Sequence, residues 1–162
     1  DVGTGSDAGA DLQVRPRTCI ETFLRPEPRV RAGLLLGRNR AATSCVDLSD
    51  GLADGVRQLA TASGVGITLD GDAVPLSDET RRWHQERGAD AIASALGGGE
   101  DYELLFTVRP THRGRLRAVR QLLGDLPIIR IGVVTRAREL LLGGKTGTTA
   151  LPAGYEHFQR GG

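Results

Sequence analysis

The chain has 162 residues, of which 39% are hydrophobic and 25% are charged, and these values are typical of one folded globular domain. Its 21 basic and 20 acidic residues leave a net charge of +1, so composition gives no argument for nucleic-acid binding. No apolar run approaches the ~20 residues that a membrane helix needs, and we expect neither a nucleic-acid partner nor a membrane.

The residue types that are rare or missing bear on the origin of the chain. There is no methionine and no signal peptide, so we expect a piece of a longer cytoplasmic protein. The only cysteines, Cys19 and Cys45, lie far apart and outside any C-x-x-C motif, which excludes the common kind of zinc site. We expect both thiols to be buried and reduced.

Hydrophobic spacing and turn residues predict interleaved helices and strands. After a loop over 1–14, helices are predicted over 15–24, 28–37, 51–62, 78–87, 89–96 and 113–123. Strands are predicted over 43–48, 65–69, 101–108, 127–135 and 138–142, the last in a hairpin that returns near 148–151. Because some strands are joined by short turns, the pattern favours an α+β fold, or a mixed sheet with helices packed on it, over a doubly wound parallel sheet.

The first candidate site is the segment CVDLSDGL, where a predicted buried strand runs directly into a helix. Strand alternation puts Asp47 and Ser49 on one side, and Asp50 falls at or near the helix N-cap. A helix N-terminus suits phosphate, and two carboxylates beside phosphate call for a cation such as Mg²⁺. The alternative is that Asp50 or Ser49 simply caps the helix.

The second candidate is the segment GGGEDYELLF, which begins at Gly97. Three glycines lose much backbone entropy on folding, so something must approach the main chain closely or require a positive φ. Glu100 lies before the predicted strand, where its carboxylate could face a ligand amine or a metal-bound water. The alternative is a flexible turn before an amphipathic strand.

A third and weaker candidate lies near the C-terminus, in the segment GYEHF. Tyr155 and Phe158 flank His157, and such aromatic side chains could stack on a planar ligand. The alternative is a terminal segment that docks its aromatic side chains on the core.

Five short motifs occur in one order along the chain. They are RPEPR at 25–29, DLSDGL at 47–52, GGEDYELLF at 98–106, an I-G-x-V run that begins at 131, and GYEHF at 154–158. In this order they resemble the C-terminal half of the thiamine-monophosphate kinases, within the superfamily of aminoimidazole ribonucleotide synthetase and selenophosphate synthetase. The resemblance covers about residues 15–158, and the GGEDYEL run is characteristic of the kinase branch.

The resemblance implies a layered α/β/α domain with a mixed, largely antiparallel sheet, like the C-terminal domain of aminoimidazole ribonucleotide synthetase. It places this domain at 27–162, after a truncated loop and helix over 1–26. It also implies that the N-terminal ATP-binding domain is missing, and that the full-length protein is a homodimer.

The family activity implied by the resemblance is transfer of the ATP γ-phosphoryl group to thiamine monophosphate, with Mg²⁺ bridging the phosphates. By motif match, Asp47 and Asp50 resemble magnesium ligands and Ser49 resembles an ATP contact. Glu100 and Tyr155 resemble substrate contacts. The resemblance identifies no catalytic side chain, and an ionised phosphate nucleophile needs no strong general base.

Two departures from the family pattern limit what we expect of this chain. Without an N-terminal half we expect it to be inactive alone, with one sheet edge unpaired. Gly55 stands where the family continues with Asp-Leu, so the helix there should be weaker by ~1 kcal/mol. The alternative function is a non-catalytic nucleotide-binding, phosphate-binding or interaction module of the same superfamily.

Overall fold

The computed structural model describes residues 19–145 and 147–152. Within them the helices are α1 (Cys19–Leu24), α2 (Val30–Arg38), α3 (Leu52–Ser63), α4 (Asp78–Glu86), α5 (Ala91–Gly97) and α6 (Arg113–Leu123). The strands are β1 (Ser44–Asp47), β2 (Gly66–Asp70), β3 (Leu104–Thr107), β4 (Gly132–Thr135), β5 (Leu140–Gly144) and β6 (Gly147–Ala150). None of these helices combines the length and apolarity needed to traverse a lipid bilayer.

The predicted order of helices and strands is confirmed, and two predicted strands are too long. The strand predicted over 101–108 begins at Leu104, because Glu100 and Tyr102 have positive φ values of 67° and 50° that an extended strand does not allow. The strand predicted over 127–135 begins at Gly132. Before it, Ile128 packs against a hydrophobic cluster, so the apolar residues there serve packing rather than strand pairing.

The strands form two separate sheets. Antiparallel β1 and β3 make a two-stranded ribbon, whereas the larger sheet has the order β4-β2-β5-β6. In the larger sheet β2 and β5 are parallel and the other pairs are antiparallel. The mixed, largely antiparallel character predicted for the fold is therefore confirmed. Within the part of the chain that the structure describes, β1 and β3 each pair with one strand only.

The ribbon separates two hydrophobic clusters. On one face Val46 and Leu105 pack against a cluster formed mainly by α3, β2 and α5. On the other face Leu104 and Phe106 pack against a cluster formed by α2 and α6. Burial of these apolar side chains from both sides supplies the main driving force that fixes the ribbon between helices.

The prediction that both thiols are buried is wrong, because Cys19 and Cys45 are exposed. Strand β1 is also not a buried strand, since its residues alternate between half-buried and exposed. Cys45 lies directly opposite Phe106 in the ribbon. The α2–α6 cluster covers Phe106 on β3 and leaves the β1 side of that face in solvent.

Gly55 proves to be part of the packing rather than only a weak point of α3. It is buried, and a Cβ atom there would lie 2.7 Å from Leu48 Cδ2. The glycine thus lets Leu48, which leads from the ribbon into α3, lie against the helix. Its low helix propensity is partly offset by this close packing.

We predict that Leu96→Ala lowers the free energy of unfolding by about 2–5 kcal/mol, because truncation leaves a cavity in the first cluster. Leu96 on α5 is 1% exposed. Urea denaturation of the chain measures the change. Leu122→Ala on α6 is the control, since Leu122 is 50% exposed and its truncation should change stability by less than about 0.5 kcal/mol. Equal losses in the two variants would contradict this description of the core.

Candidate functional site

The structure brings the first two sequence candidates into direct contact. We call residues 47–51 the acidic turn and residues 98–103 the glycine loop. The N–H of Glu100 donates to the Ser49 carbonyl oxygen at 2.8 Å, and the N–H of Tyr102 donates to the Leu48 carbonyl oxygen at 3.1 Å. In return the Leu48 N–H donates to the Glu103 carbonyl oxygen at 2.9 Å. These bonds continue the β1–β3 pairing past the end of both strands.

Glycine is required on both sides of this contact. Gly51 has a φ of 97°, and a Cβ atom on it would lie 2.4 Å from the Gly98 carbonyl oxygen. A Cβ atom on Gly99 would lie 2.6 Å from the Ser49 carbonyl oxygen. The expectation that something approaches the three-glycine run is therefore confirmed, and the approaching group is the main chain of the acidic turn.

Three of the predicted site residues lie at this junction on accessible surface. Asp47 is exposed at the end of β1, Asp50 is exposed in the turn, and Glu100 is exposed in the glycine loop. Ser49, between the two aspartates, is half-buried. Helix α3 begins with Gly51 at its N-cap, so the capping position itself carries no side chain. Neither Asp50 nor Ser49 therefore occupies the N-cap position itself.

The chemistry of these side chains fits magnesium only as part of a larger donor set. Across residues 19–145 and 147–152, no group of three or more His, Cys, Asp or Glu side chains is arranged to hold a metal ion. Asp47 and Asp50 can each offer a carboxylate oxygen, and Mg²⁺ commonly combines one or two carboxylates with phosphate oxygens. The acidic turn thus suits a cation that arrives with, or is completed by, a phosphorylated ligand.

The glycine loop also carries an acid with perturbed titration. Partial burial raises the pKa of the Asp101 carboxyl above its ordinary value of 3.8, and the nearby Glu103 carboxylate raises it further. Asp101 as a whole residue is solvent-exposed, so the effect arises from local desolvation of the carboxylate rather than from a closed core. Ionisation of Asp101 in the glycine loop therefore opposes folding.

The sequence did not predict an ion pair that joins the start of α2 to the last residue of the glycine loop. Arg29 Nε donates to both carboxylate oxygens of Glu103 at 3.0 Å, and Arg29 Nη2 donates to Oε1 at 2.7 Å. The hydrogen bond to Glu103 raises the pKa of Arg29, and the charges of Glu103 and Glu27 raise it further against the opposing effect of burial. Both partners belong to quoted motifs, RPEPR and GGEDYEL, but no residue spacing indicated that they meet.

The third candidate cannot be placed. Tyr155 and the rest of the GYEHF segment lie outside the described residues. The chain that leads toward it is fixed to α3, since Leu151 is buried and the Arg57 guanidinium donates to the carbonyl oxygens of Leu151 and Pro152. The proposed boundary between 1–26 and 27–162 likewise stays a prediction.

Comparison with known proteins now identifies the family. Residues 8–143 match the family described as AIR synthase related protein, C-terminal domain. The chain belongs to this family. Solved structures agree: a thiamine-monophosphate kinase from Stenotrophomonas maltophilia is 38% identical, with a TM-score of 0.65 over 74% of this chain and 36% of that one. The hydrogenase maturation protein HypE of Escherichia coli, at 23% identity and a TM-score of 0.60 over 80% of this chain and 40% of that one, shares the fold.

Curated relatives of this AIR-synthase-related domain confirm its resemblance to thiamine-monophosphate kinases. The enzyme of that name from Salmonella typhimurium is 38% identical over 96% of this chain and 50% of its own length. The one from Escherichia coli is 40% identical over 86% of this chain and 42% of its own length. The chain therefore spans about half the length of the curated relatives it matches, or less.

We predict that Gly51→Ala destabilises the domain by about 2–3 kcal/mol, because the methyl group meets the Gly98 carbonyl and φ is positive. Thermal unfolding followed by circular dichroism measures the loss. Gly37→Ala in α2 is the matched control, since nothing lies within 4 Å of its Cβ position. That variant should be unchanged or more stable by about 0.5–1 kcal/mol. A tolerated Gly51→Ala would refute the close approach.

We predict that Asp101→Asn is more stable than the unchanged domain at pH 7. The folded-state pKa of Asp101 lies above its ordinary value of 3.8, so the ionised carboxylate disfavours the folded state. That penalty is present at neutral pH and disappears as pH falls through the folded-state pKa toward 3.8. Unfolding free energies from pH 7 down to pH 3.5 should therefore converge for the two proteins. A gap that widens on acidification would contradict the sign.

Proposed function

We propose that this chain is the C-terminal half of a magnesium-dependent kinase that transfers the ATP γ-phosphoryl group to thiamine monophosphate, giving thiamine diphosphate. The observation that carries the proposal is the main-chain pairing of the acidic turn with the glycine loop. It gathers Asp47, Ser49, Asp50 and Glu100 at one junction. A structure reported as AaThiL complexed with AMPPCP and TMP, 31% identical with a TM-score of 0.68 over 86% of this chain and 40% of that one, supports both ligands.

The acidic turn would carry the nucleotide end of the reaction. Asp47 and Asp50 would hold Mg²⁺, and Ser49 would contact ATP. Magnesium, when bound, offsets the repulsion between two anionic phosphate groups. The turn leads directly into α3, whose first N–H groups lack partners within the helix and add positive potential for phosphate. Carboxylates and helix N-terminus thus act on the same charged group.

The glycine loop would carry the acceptor end. Glu100 would contact thiamine monophosphate, and Tyr155 would lie against a ring of the thiamine. The phosphate monoester is already ionised near neutral pH, so it can attack the γ-phosphorus in line without a side-chain base. The protein would supply position and charge compensation rather than covalent chemistry, so the proposal assigns no catalytic side chain.

The remaining ligands would come from outside this chain. The described residues offer two carboxylates at the acidic turn and no closed metal site. We therefore propose that an N-terminal ATP-binding domain completes the active site, that the complete protein is a cytoplasmic homodimer, and that this chain alone is inactive. This proposal is supported by the match of the chain to only about half the length of the curated kinases.

We predict that Asp47→Asn and Glu100→Gln, each introduced into the complete gene product, lower the rate of thiamine monophosphate phosphorylation at least ~10-fold. The first removes a cation ligand and the second a charged contact to the acceptor. Conversion of thiamine monophosphate to thiamine diphosphate in the presence of Mg·ATP measures the rate.

The control for both variants is Asp125→Asn, which removes an exposed carboxylate between α6 and β4. Circular dichroism and thermal midpoints should show all three variants folded. Full activity of Asp47→Asn and Glu100→Gln would refute the roles proposed for these two side chains. A complete, unmutated protein that does not phosphorylate thiamine monophosphate would refute the kinase proposal and favour the non-catalytic module.

A further inference from the structure

The Arg29–Glu103 ion pair joins the start of α2 to the base of the glycine loop. Its geometry is a fork, with Nε and Nη2 of Arg29 on the Glu103 carboxylate at 2.7–3.0 Å. The Arg29 side chain is only 22% exposed and that of Glu103 is 50% exposed, so the pair is partly shielded from water. Charge-assisted forked pairs of this kind fix direction as well as distance.

Arg29 is itself held in place from several directions. It is the N-cap residue of α2 and follows Pro28 directly. Its Nη1 atom donates to Glu27 Oε2 at 3.3 Å, and Gly33 N–H donates to the Arg29 carbonyl oxygen in the first turn of the helix. Helix α2 is anchored through Ala32 and Leu36, which are buried in the α2–α6 cluster. The main chain that carries the Arg29 guanidinium is therefore fixed by the packing of α2.

Glu103 is bonded directly to the acidic turn, so a displacement of its main chain would also displace the candidate site. Its carbonyl oxygen accepts from Leu48 N–H, and the N–H groups of Tyr102 and Glu100 donate back to the acidic turn. Between these bonds the main chain has positive φ at Glu100 and Tyr102. Non-glycine residues keep such conformations only where the surroundings impose them, and Arg29 is the partner of the side chain next to them.

We propose that Arg29 is a positioning residue for the candidate site. Through Glu103 it holds the glycine loop in register with the acidic turn, and it compensates one negative charge beside Asp101. Arg29 need not touch either substrate. The consequence for catalysis rests on the proposed kinase function, whereas the consequence for the loop does not.

Hydrogen exchange of this chain tests the structural step without any substrate. In Arg29→Ala we expect the amides of Glu100 and Tyr102 to exchange at least ~10-fold faster, because the loop loses its forked anchor. Amides in β2 and α3 should keep their protection. Arg31→Ala is the matched control on the same helix, since Arg31 Nη2 donates to the Leu122 carbonyl oxygen at 2.7 Å, away from the loop. It should change the two loop amides less than ~2-fold.

Kinetics of the complete gene product test the functional step. Arg29→Ala should lower kcat/KM for thiamine monophosphate phosphorylation at least ~10-fold at a temperature where the variant is folded, and Arg31→Ala should not. Arg29→Lys should restore only part of the rate, because an ammonium group cannot form the fork. If the pair acts as a unit, adding Glu103→Gln to Arg29→Ala should change kcat/KM little further.

The outcomes separate the two proposals. Faster loop exchange together with a lower, non-additive kcat/KM supports the positioning role. Unchanged exchange at Glu100 and Tyr102 overturns it, and so does faster exchange with an unchanged kcat/KM. If the complete unmutated protein does not phosphorylate thiamine monophosphate, the kinase proposal fails, and the exchange data alone then decide whether Arg29 holds the loop.

Discussion

The close approach of two main-chain segments is the constraint on which the candidate site depends. The acidic turn and the glycine loop are joined by reciprocal N–H to carbonyl bonds, and side chains at Gly51 or Gly99 would collide with the opposite main chain. Because the contact is made by main-chain atoms, it positions the Cα atoms of the neighbouring residues and leaves their side chains out of the contact. Asp47, Asp50 and Glu100 are exposed at this contact.

The placement of the ribbon explains why this contact is rigid. Strands β1 and β3 pack between two apolar clusters. Val46 and Leu105 contact one cluster, and Leu104 and Phe106 contact the other. The acidic turn begins at the last residue of β1 and the glycine loop leads into the first residue of β3, so the clusters set the position of the junction. A site at the end of a packed ribbon keeps its geometry better than one on a free loop.

Charge is the second constraint on the junction. The two segments bring together several carboxylates, and the pKa of one of them, Asp101, is raised by partial burial and further by the charge of Glu103. Arg29 compensates the negative charge of Glu103. The proposed Mg²⁺ would compensate the negative charges of the exposed aspartates. The same fold also occurs in HypE at low identity, so the fold by itself does not determine the function.

The chain's own sequence determined the order of elements, the α+β class and the motifs that carry the family resemblance. Periodicity predicted α6 at its observed bounds, and Gly64 ends α3 as a left-handed cap. These features depend on neighbours within a turn or a strand, which is why local pattern reveals them. The order of the five motifs indicated the family, because the five together are more specific than any one of them.

Only the tertiary structure decided what the glycines face and which charges pair. The partner of the three-glycine run lies about fifty residues earlier in the chain, and that of Glu103 lies 74 residues earlier, at Arg29. Such contacts follow from strand register and helix packing, which local spacing does not encode. The same holds for Cys45, which looks like a core residue in sequence but is exposed because the α2–α6 cluster covers only the β3 side of the ribbon.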